Sequence, residues 1–137
     1  MNFFLFIGAF LGFLSVAFGA LAEHKLKATI PPGQFVILMK ALNYHQLYSV
    51  LIVSLALCSS HLPKTLYQYI KLAAWLFLIG MLLFSFSIYF AVIFDNKSLL
   101  HAAPIGGVAL MIAWVILILA TVRRTNIKSL IDDETHT

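Results

Sequence analysis

The chain has 137 residues, of which 62% are hydrophobic, whereas a soluble domain holds about 45–50%. Its nine Lys and Arg and five Asp and Glu are too few to cover the surface of a soluble domain of this size. The net charge of +4 is dispersed rather than gathered in a basic stripe, so the composition predicts an integral membrane protein that contacts lipid and binds no nucleic acid.

Four apolar stretches follow one another along the chain, and each is long enough to cross a bilayer as an α-helix. About 20 mostly apolar residues suffice, because a helix rises about 1.5 Å per residue and the hydrocarbon core is about 30 Å thick. The expected helices cover residues 2–22, 35–60, 67–94 and 99–122 of a single transmembrane domain, residues 1–137, with a polar C-terminal tail at 125–137. Since lipid offers no partner to unpaired backbone groups, the sequence predicts an all-α, four-helix transmembrane bundle.

The first stretch ends in Ala20-Leu21-Ala22, which has the small-x-small form of a signal-peptidase site. Residues 2–5 contain no Lys or Arg, and the apolar run is longer than the roughly 7–15 residues of a signal-peptide core. We therefore expect this stretch to remain as a membrane span.

The first helix carries small residues at helical spacing. Gly8 and Gly12 are four residues apart, as are Ser15 and Gly19. This spacing lets two helix backbones approach closely, either within the bundle or between subunits.

The later helices also contain residues that we expect at helix contacts. These are Ser85 in the third helix and Pro104, Gly106 and Gly107 in the fourth. Pro104 either lies in the first turn of a helix that begins near Ala103 or kinks one that begins at Ser98.

The most polar part of the spans is the run Asn43–Ser49 in the second helix. If this helix enters lipid near Phe35, His45 approaches the middle of the membrane. If Lys40 marks the headgroup level, the run is instead an interfacial belt. Interhelical hydrogen bonding and interfacial anchoring therefore compete with a binding or proton-handling site.

A candidate polar pocket combines this run with the end of the first helix. Its predicted members are Glu23, His24, Tyr44, His45 and Tyr48. Such a set would bind a quinone-like or other polar headgroup, or carry protons. Alternatively, Glu23 pairs with Lys27, four residues further on, at a solvated helix end.

Metal and cofactor motifs are not found in the sequence. His24, His45, His61 and His101 are scattered singly, whereas a metal needs several converging ligands. Gly-rich phosphate loops, nucleophile elbows and zinc-protease helices are also missing. We therefore expect no metal, no cofactor and no enzymatic activity.

The distribution of cations gives a prediction for topology. With four spans, one side of the membrane holds both termini and the second loop, with Lys64, Lys71, Arg123, Arg124 and Lys128. The other side holds Lys25, Lys27, Lys40 and Lys97. The Arg pair beside a span end favours both termini in the cytoplasm, in a multi-pass protein of the bacterial inner membrane.

Several runs resemble one family of small membrane proteins. They are Gly19–Lys27, Tyr44–Ser49, Trp75–Gly80, Phe84-Ser85, Ser87–Tyr89 and Pro104–Gly107. In this order, within residues 8–120, they resemble the domain of unknown function 423 family of transmembrane protein 256-like proteins. The resemblance implies four transmembrane helices and no established activity. Tyr48 stands where relatives often carry histidine, and Glu23 where many have a small residue. The resemblance therefore does not support a role that needs a pair of histidines in the second helix.

Two functions are compatible with these features. We expect a non-catalytic accessory or assembly subunit, or a homo-oligomer, because the chain is small and its sequence predicts no domain outside the membrane. The alternative is a transporter or small-ligand binding protein with a polar pocket between the first and second helices. Four short spans make a poor transporter alone, so transport would require oligomerisation.

Overall fold

The computed structural model of the protein describes residues 2–59 and 62–134, with side chains as far as Val122. The first span is α1, Asn2–Leu21, extended by a π-helical turn, Ala22–Leu26. The second span is α2, Pro32–Cys58. The third consists of α3, Lys64–Met81, a π-helical segment, Leu82–Phe86, and α4, Ser87–Ile93. The fourth begins with a 3₁₀ turn, Lys97–His101, and continues as α5, Ala102–Glu134.

All four spans are long and apolar enough to cross a membrane. They cover Asn2–Leu26, Pro32–Cys58, Lys64–Ile93 and Lys97–Val122. The predicted all-α class with four transmembrane helices is therefore confirmed.

The observed helix ends differ from the predicted ones for local reasons. α2 begins at Pro32, before the predicted residue 35, because proline fits the first turn of a helix, where its missing N–H is not needed. The backbone of α5 remains helical through Glu134, so residues 125–134 of the predicted tail continue the fourth helix. Residues 1, 60, 61 and 135–137 lie outside the described part, as do the side chains of Arg123, Arg124 and Lys128.

The spans alternate in direction, and α1 packs along α2. A Cβ on Gly8 would lie 2.9 Å from Val53 Cγ2, and one on Gly19 would lie 3.0 Å from Leu42 Cδ2. Residue numbers rise along α1 from Gly8 to Gly19, while the numbers of the contacting residues of α2 fall from Val53 to Leu42. The two helices are therefore antiparallel. At Gly8 the added Cβ would also lie 3.2 Å from the Val53 backbone nitrogen, so a side chain there would press on the α2 backbone, whereas at Gly19 the Leu42 side chain can move aside.

The third and fourth spans form the other close pair. A Cβ on Gly106 would lie 2.5 Å from the Phe84 backbone nitrogen, and one on Gly80 would lie 2.9 Å from Leu110. Phe77 and Trp114 make an edge-to-face ring contact at 5.3 Å further along the same antiparallel pair. The two pairs join through rings of α1 and the third span, with Phe18 and Tyr89 centroids 4.4 Å apart.

The predicted packing residues of the fourth span occupy different environments. Gly106 is buried in the contact with the third span, whereas Gly107 has no atom within 4 Å of an added Cβ. The two differ because successive helical residues point about 100° apart. Pro104 is exposed in the first turn of α5, which begins at Ala102, so it starts this helix and does not interrupt it. Among the described residues, Gly106 and not Gly107 therefore makes the close contact with the third span.

Candidate ligand-binding site

Four polar side chains are buried in the middle of the bundle. They are Ser15 on α1, His45 and Ser49 on α2, and Ser85 in the π-helical segment, each no more than 1% exposed. Ser15 and Ser49 donate to carbonyls of their own helices, those of Gly12 at 2.7 Å and His45 at 2.7 Å. Ser85 instead donates across the bundle to the Ala41 carbonyl of α2 at 2.9 Å. This bond holds the third span against α2.

His45 is the central residue of α2 and of this polar layer. It lies 13 residues from either end of Pro32–Cys58, about 20 Å along the helix. Its Nδ1 is 3.2 Å from the hydroxyl oxygen of Tyr89 on α4, and both side chains are buried. The pair is a polar contact between two spans within an apolar interior.

The second ring nitrogen of His45 has no such partner. Nε2 is buried and makes no hydrogen bond with any described residue. The Leu11 carbonyl of α1 approaches the ring but stays outside hydrogen-bond geometry. A buried polar atom without a partner costs about 1–3 kcal/mol, so this nitrogen needs an explanation.

A cavity of about 370 Å³ lies beside His45 and Tyr89, between α1, α2 and α4. Apart from these two residues, its walls are apolar and consist of Leu14, Ala17, Phe18, Leu21, Phe86, Phe90 and Ile93. Among the described residues, no charged side chain lines it. Phe90 and Ile93 are also exposed on the outside of the bundle, so the cavity reaches the lipid-facing surface between α1 and α4.

The π-helical segment Leu82–Phe86 sets the direction of Tyr89. A π turn accommodates about one extra residue, and one residue corresponds to about 100° of rotation in a helix. Without it, the hydroxyl of Tyr89 would turn away from His45. The Ser85 bond to α2 and the contact of Phe84 with Gly106 hold the segment from two sides.

Besides the bond between them, the two side chains have one N–H donor of the imidazole and the acceptor capacity of the phenol oxygen. A phenol is a stronger donor than a neutral imidazole, so we assign the bond as Tyr89 O–H donating to Nδ1. The neutral ring then carries its proton on Nε2. The site therefore offers a single N–H donor in apolar surroundings, which suits an uncharged acceptor such as a carbonyl oxygen.

The structure does not bring Glu23 and His24 into this site. Both are exposed, and Glu23 forms an ion pair with Lys27 at 2.9 Å, the alternative considered for a solvated helix end. Gly12 faces Ser49 and Gly19 faces Leu42, which places His45 level with Val16. His24 lies eight residues beyond Val16 on the first span. It is therefore about 12 Å from the level of His45, measured along the helix axis.

Tyr44 and Tyr48 lie at a different groove. Tyr44 is 43% exposed and makes a tilted ring contact with Phe84, with centroids 4.8 Å apart. Tyr48 is buried against Phe77, and its hydroxyl accepts from Trp114 Nε1 at 3.4 Å. Together with Pro104 and Gly107, the two tyrosines line a groove of about 320 Å³ between α2 and α5. Of the five predicted pocket residues, only His45 lines the cavity between α1, α2 and α4.

Tyr89 is the site residue that the sequence analysis missed. The sequence analysis considered it only within the run Ser87–Tyr89 that resembles the family. A usable signal existed, because a tyrosine within an apolar span must find a partner for its hydroxyl when it is buried. Within the described residues, no group of three or more His, Cys, Asp or Glu is arranged to hold a metal ion.

Comparison with known proteins places this chain among membrane proteins of unknown function. Residues 18–107 match the family described as "Protein of unknown function (DUF423)". The UPF0382 membrane protein YwdK of Bacillus subtilis is 28% identical over 123 residues, 90% of this chain and 98% of the relative. A UPF0382 membrane protein of Staphylococcus aureus is 31% identical over 121 residues, 88% of this chain and 96% of the relative.

A UPF0382 membrane protein of Haemophilus influenzae is 30% identical over 114 residues, 83% of this chain and 89% of the relative. No solved structure matches the chain. The region that matches the family includes both His45 and Tyr89. The family has no assigned activity, and the predicted resemblance to it is confirmed. This chain belongs to the DUF423 family of membrane proteins of unknown function.

Proposed function

We propose that the protein binds a small, uncharged, lipid-soluble molecule between α1, α2 and α4. The observation that carries the proposal is the partnerless Nε2 of His45, buried beside a cavity of about 370 Å³. A carbonyl or similar acceptor of the ligand would bond to this nitrogen, and the quinone-like head considered from the sequence meets that requirement.

The size and lining of the cavity support such a ligand. Ligand pockets usually enclose about 300–1,000 Å³ and combine apolar walls with a few polar groups that fix orientation. Here Phe18 and Phe86 supply flat apolar surface, and His45 supplies the orienting group. A charged ligand is disfavoured because no charged side chain would compensate its desolvation.

Entry from the bilayer follows from the position of the opening. Phe90 and Ile93 line the cavity and are also 46% and 47% exposed on the outer surface of the bundle. A hydrophobic molecule dissolved in the membrane can therefore enter between α1 and α4 without crossing water. We propose a binding role without catalysis, since the other described residues that line the cavity are all apolar.

Binding of decylubiquinone, a short-chain quinone with carbonyl acceptors, tests the proposal. The thermal unfolding midpoint of the purified protein in mild detergent should rise with decylubiquinone concentration, because a ligand that binds only the folded state stabilises it. His45→Leu removes the donor, and Tyr89→Phe removes the hydroxyl that fixes the tautomer. Both variants should lose the rise.

Tyr48→Phe is the matched control, because it also removes a buried tyrosine hydroxyl, but outside the cavity. It should keep the decylubiquinone response. Decane, which has no acceptor, should give a weaker response in the wild type. The proposal fails if decylubiquinone leaves the midpoint unchanged, or if His45→Leu responds as the wild type does.

A second candidate is an accessory or assembly subunit, or a homo-oligomer. The short connections between the spans favour it, since residues 27–31 and 94–96 leave little chain outside the membrane to recognise a partner. Recognition would then take place between helix faces within the bilayer. Purification of the native complex followed by mass determination tests this role, and a monomer without partners contradicts it.

We further propose that the protein resides in the bacterial inner membrane with both termini in the cytoplasm. The end of the bundle that contains Asn2 and the connection between α2 and α3 also carries Lys64 and Lys71. Cations beside spans are retained on the cytoplasmic side. The opposite end holds Lys25, Lys27, Lys40 and Lys97, so the preference rests on Arg123 and Arg124, which directly follow the fourth span in the sequence.

A further inference from the structure

The outer face of α2 carries a regular series of exposed residues. They are Val36, Lys40, Asn43, Leu47, Val50 and Ser54, spaced four and three residues apart in alternation. This is the heptad spacing of helices that pair along their length. The buried residues of α2, such as Leu38, Ala41 and Ile52, lie on other faces and pack within the bundle. The series is therefore not used by the fold of a single chain.

Three residues of this series are polar, and Asn43 is the one that lies furthest from the ends of α2. Its amide is exposed and makes no hydrogen bond with another described residue. It lies eleven residues from Pro32, about 16 Å along α2, and level with Phe18 of α1. Glu23, the nearest charged residue on the first span, lies five residues closer to the end of the bundle. Lipid at this depth offers the amide no donor or acceptor.

We propose that this face of α2 binds the same face of a second copy of this chain, with the two Asn43 side chains hydrogen-bonded to each other. A carboxamide has both a donor and an acceptor, so it is complementary to itself across a two-fold axis. An asparagine in a heptad seam is a known means of fixing the partner and register of paired helices. The inference rests on the homo-oligomer branch of the proposed function and is independent of the ligand.

The flanking residues are compatible with this pairing. Gln46 is exposed beside Asn43 and adds a second amide at the edge of the seam. Lys40 lies three residues nearer the helix start, where its long side chain can reach the headgroups and keep the charges of the two copies apart. Leu47 and Val50 continue the seam with apolar contacts.

Disulfide crosslinking in native membranes tests the face. Cys58, the one cysteine of the sequence, is first replaced in Cys58→Ala. In this background Leu47→Cys should form a disulfide-linked dimer on oxidation. Met111→Cys is the matched control, because Met111 is exposed on the outer face of α5 at the level of Leu47 and lies outside the proposed seam. It should form little dimer.

Asn43→Leu added to Leu47→Cys should lower the crosslinked fraction about three- to tenfold, the range expected for loss of interhelical hydrogen bonds. Asn43→Gln, which keeps the amide, should retain most of it. The decylubiquinone response of Asn43→Leu should equal that of the wild type, which shows that the bundle is intact.

The outcomes distinguish a homo-oligomer that uses another face from the absence of a homo-oligomer. A dimer through Met111→Cys but not Leu47→Cys overturns the proposed face and leaves a homo-oligomer. A linked product of another mass at Leu47→Cys shows a different partner and also overturns the proposal. Monomers at both positions, with a monomeric mass after mild solubilisation, overturn the face and the homo-oligomer together.

Discussion

Replacing Gly106 with alanine tests how closely the third and fourth spans must approach. A Cβ at this position would lie 2.5 Å from the Phe84 backbone nitrogen and 2.7 Å from the Gly80 carbonyl oxygen. Both atoms belong to helix backbones and not to flexible side chains. The added methyl group therefore forces α5 away from the third span. Gly107, the next residue, provides the control, because an added Cβ meets no atom within 4 Å.

The expected magnitude follows from two opposing terms. Alanine is favoured over glycine within a helix by about 0.5–1 kcal/mol, and both variants gain this term. Overpacking a close contact costs about 1–3 kcal/mol, and only Gly106→Ala bears it. Gly107→Ala should be neutral or slightly stabilised, and Gly106→Ala should be less stable than Gly107→Ala by about 1–3 kcal/mol.

Equilibrium unfolding in mixed micelles, followed by tryptophan fluorescence, measures this difference. Trp114 lies in α5 and contacts Phe77 of α3, so its emission reports the separation of the two helices. Equal stabilities of Gly106→Ala and Gly107→Ala would refute the close approach. Greater damage from Gly107→Ala would place the contact on the wrong side of α5.

Three further outcomes are expected from the same structure. Ser85→Ala should destabilise the bundle by about 0.5–1 kcal/mol through loss of the bond to Ala41, whereas Ser54→Ala, which loses only a bond within α2, should be neutral in the same unfolding assay. Gly12→Ala should be tolerated because its Cβ would lie 3.8 Å from Ser49 Cβ, whereas Gly12→Leu should lower the melting temperature. An unchanged melting temperature of Gly12→Leu would contradict the α1–α2 packing. A reporter fused after Thr137 should behave as cytoplasmic in topology assays, and an extracytoplasmic signal would reverse the proposed orientation.

The number and type of the helices could be predicted from the sequence because lipid imposes simple requirements. A span needs about 20 apolar residues and must pair its own backbone groups. The π-helical segment could not be predicted in this way. Leu82-Leu83-Phe84-Ser85-Phe86 is an apolar run with one serine, and nothing in it distinguishes a π turn from an α turn. The contacts that hold it, from Ala41 and Gly106, come from distant parts of the chain.

The site was predictable only in part. His45 was identifiable because an ionisable residue within an apolar span is unusual. Its partner was not, since finding Tyr89 requires the relative positions of α2 and α4. The predicted pocket placed Glu23 and His24 beside His45 without using the level of each residue. In two antiparallel helices with a short connection, residues equally distant from that connection lie level, and this places His45 deeper than His24.

The central claim is that His45 and Tyr89 hold an uncharged ligand from the membrane. Native mass spectrometry of the protein, purified from its membranes in lipid nanodiscs without added ligand, tests it most directly. We predict one uncharged molecule of a few hundred daltons per chain, a size that suits a pocket of a few hundred Å³. It should be retained by the wild type and Tyr48→Phe and lost from His45→Leu and Tyr89→Phe. A bare chain mass in the wild type, or the same bound mass in all four proteins, would contradict the account.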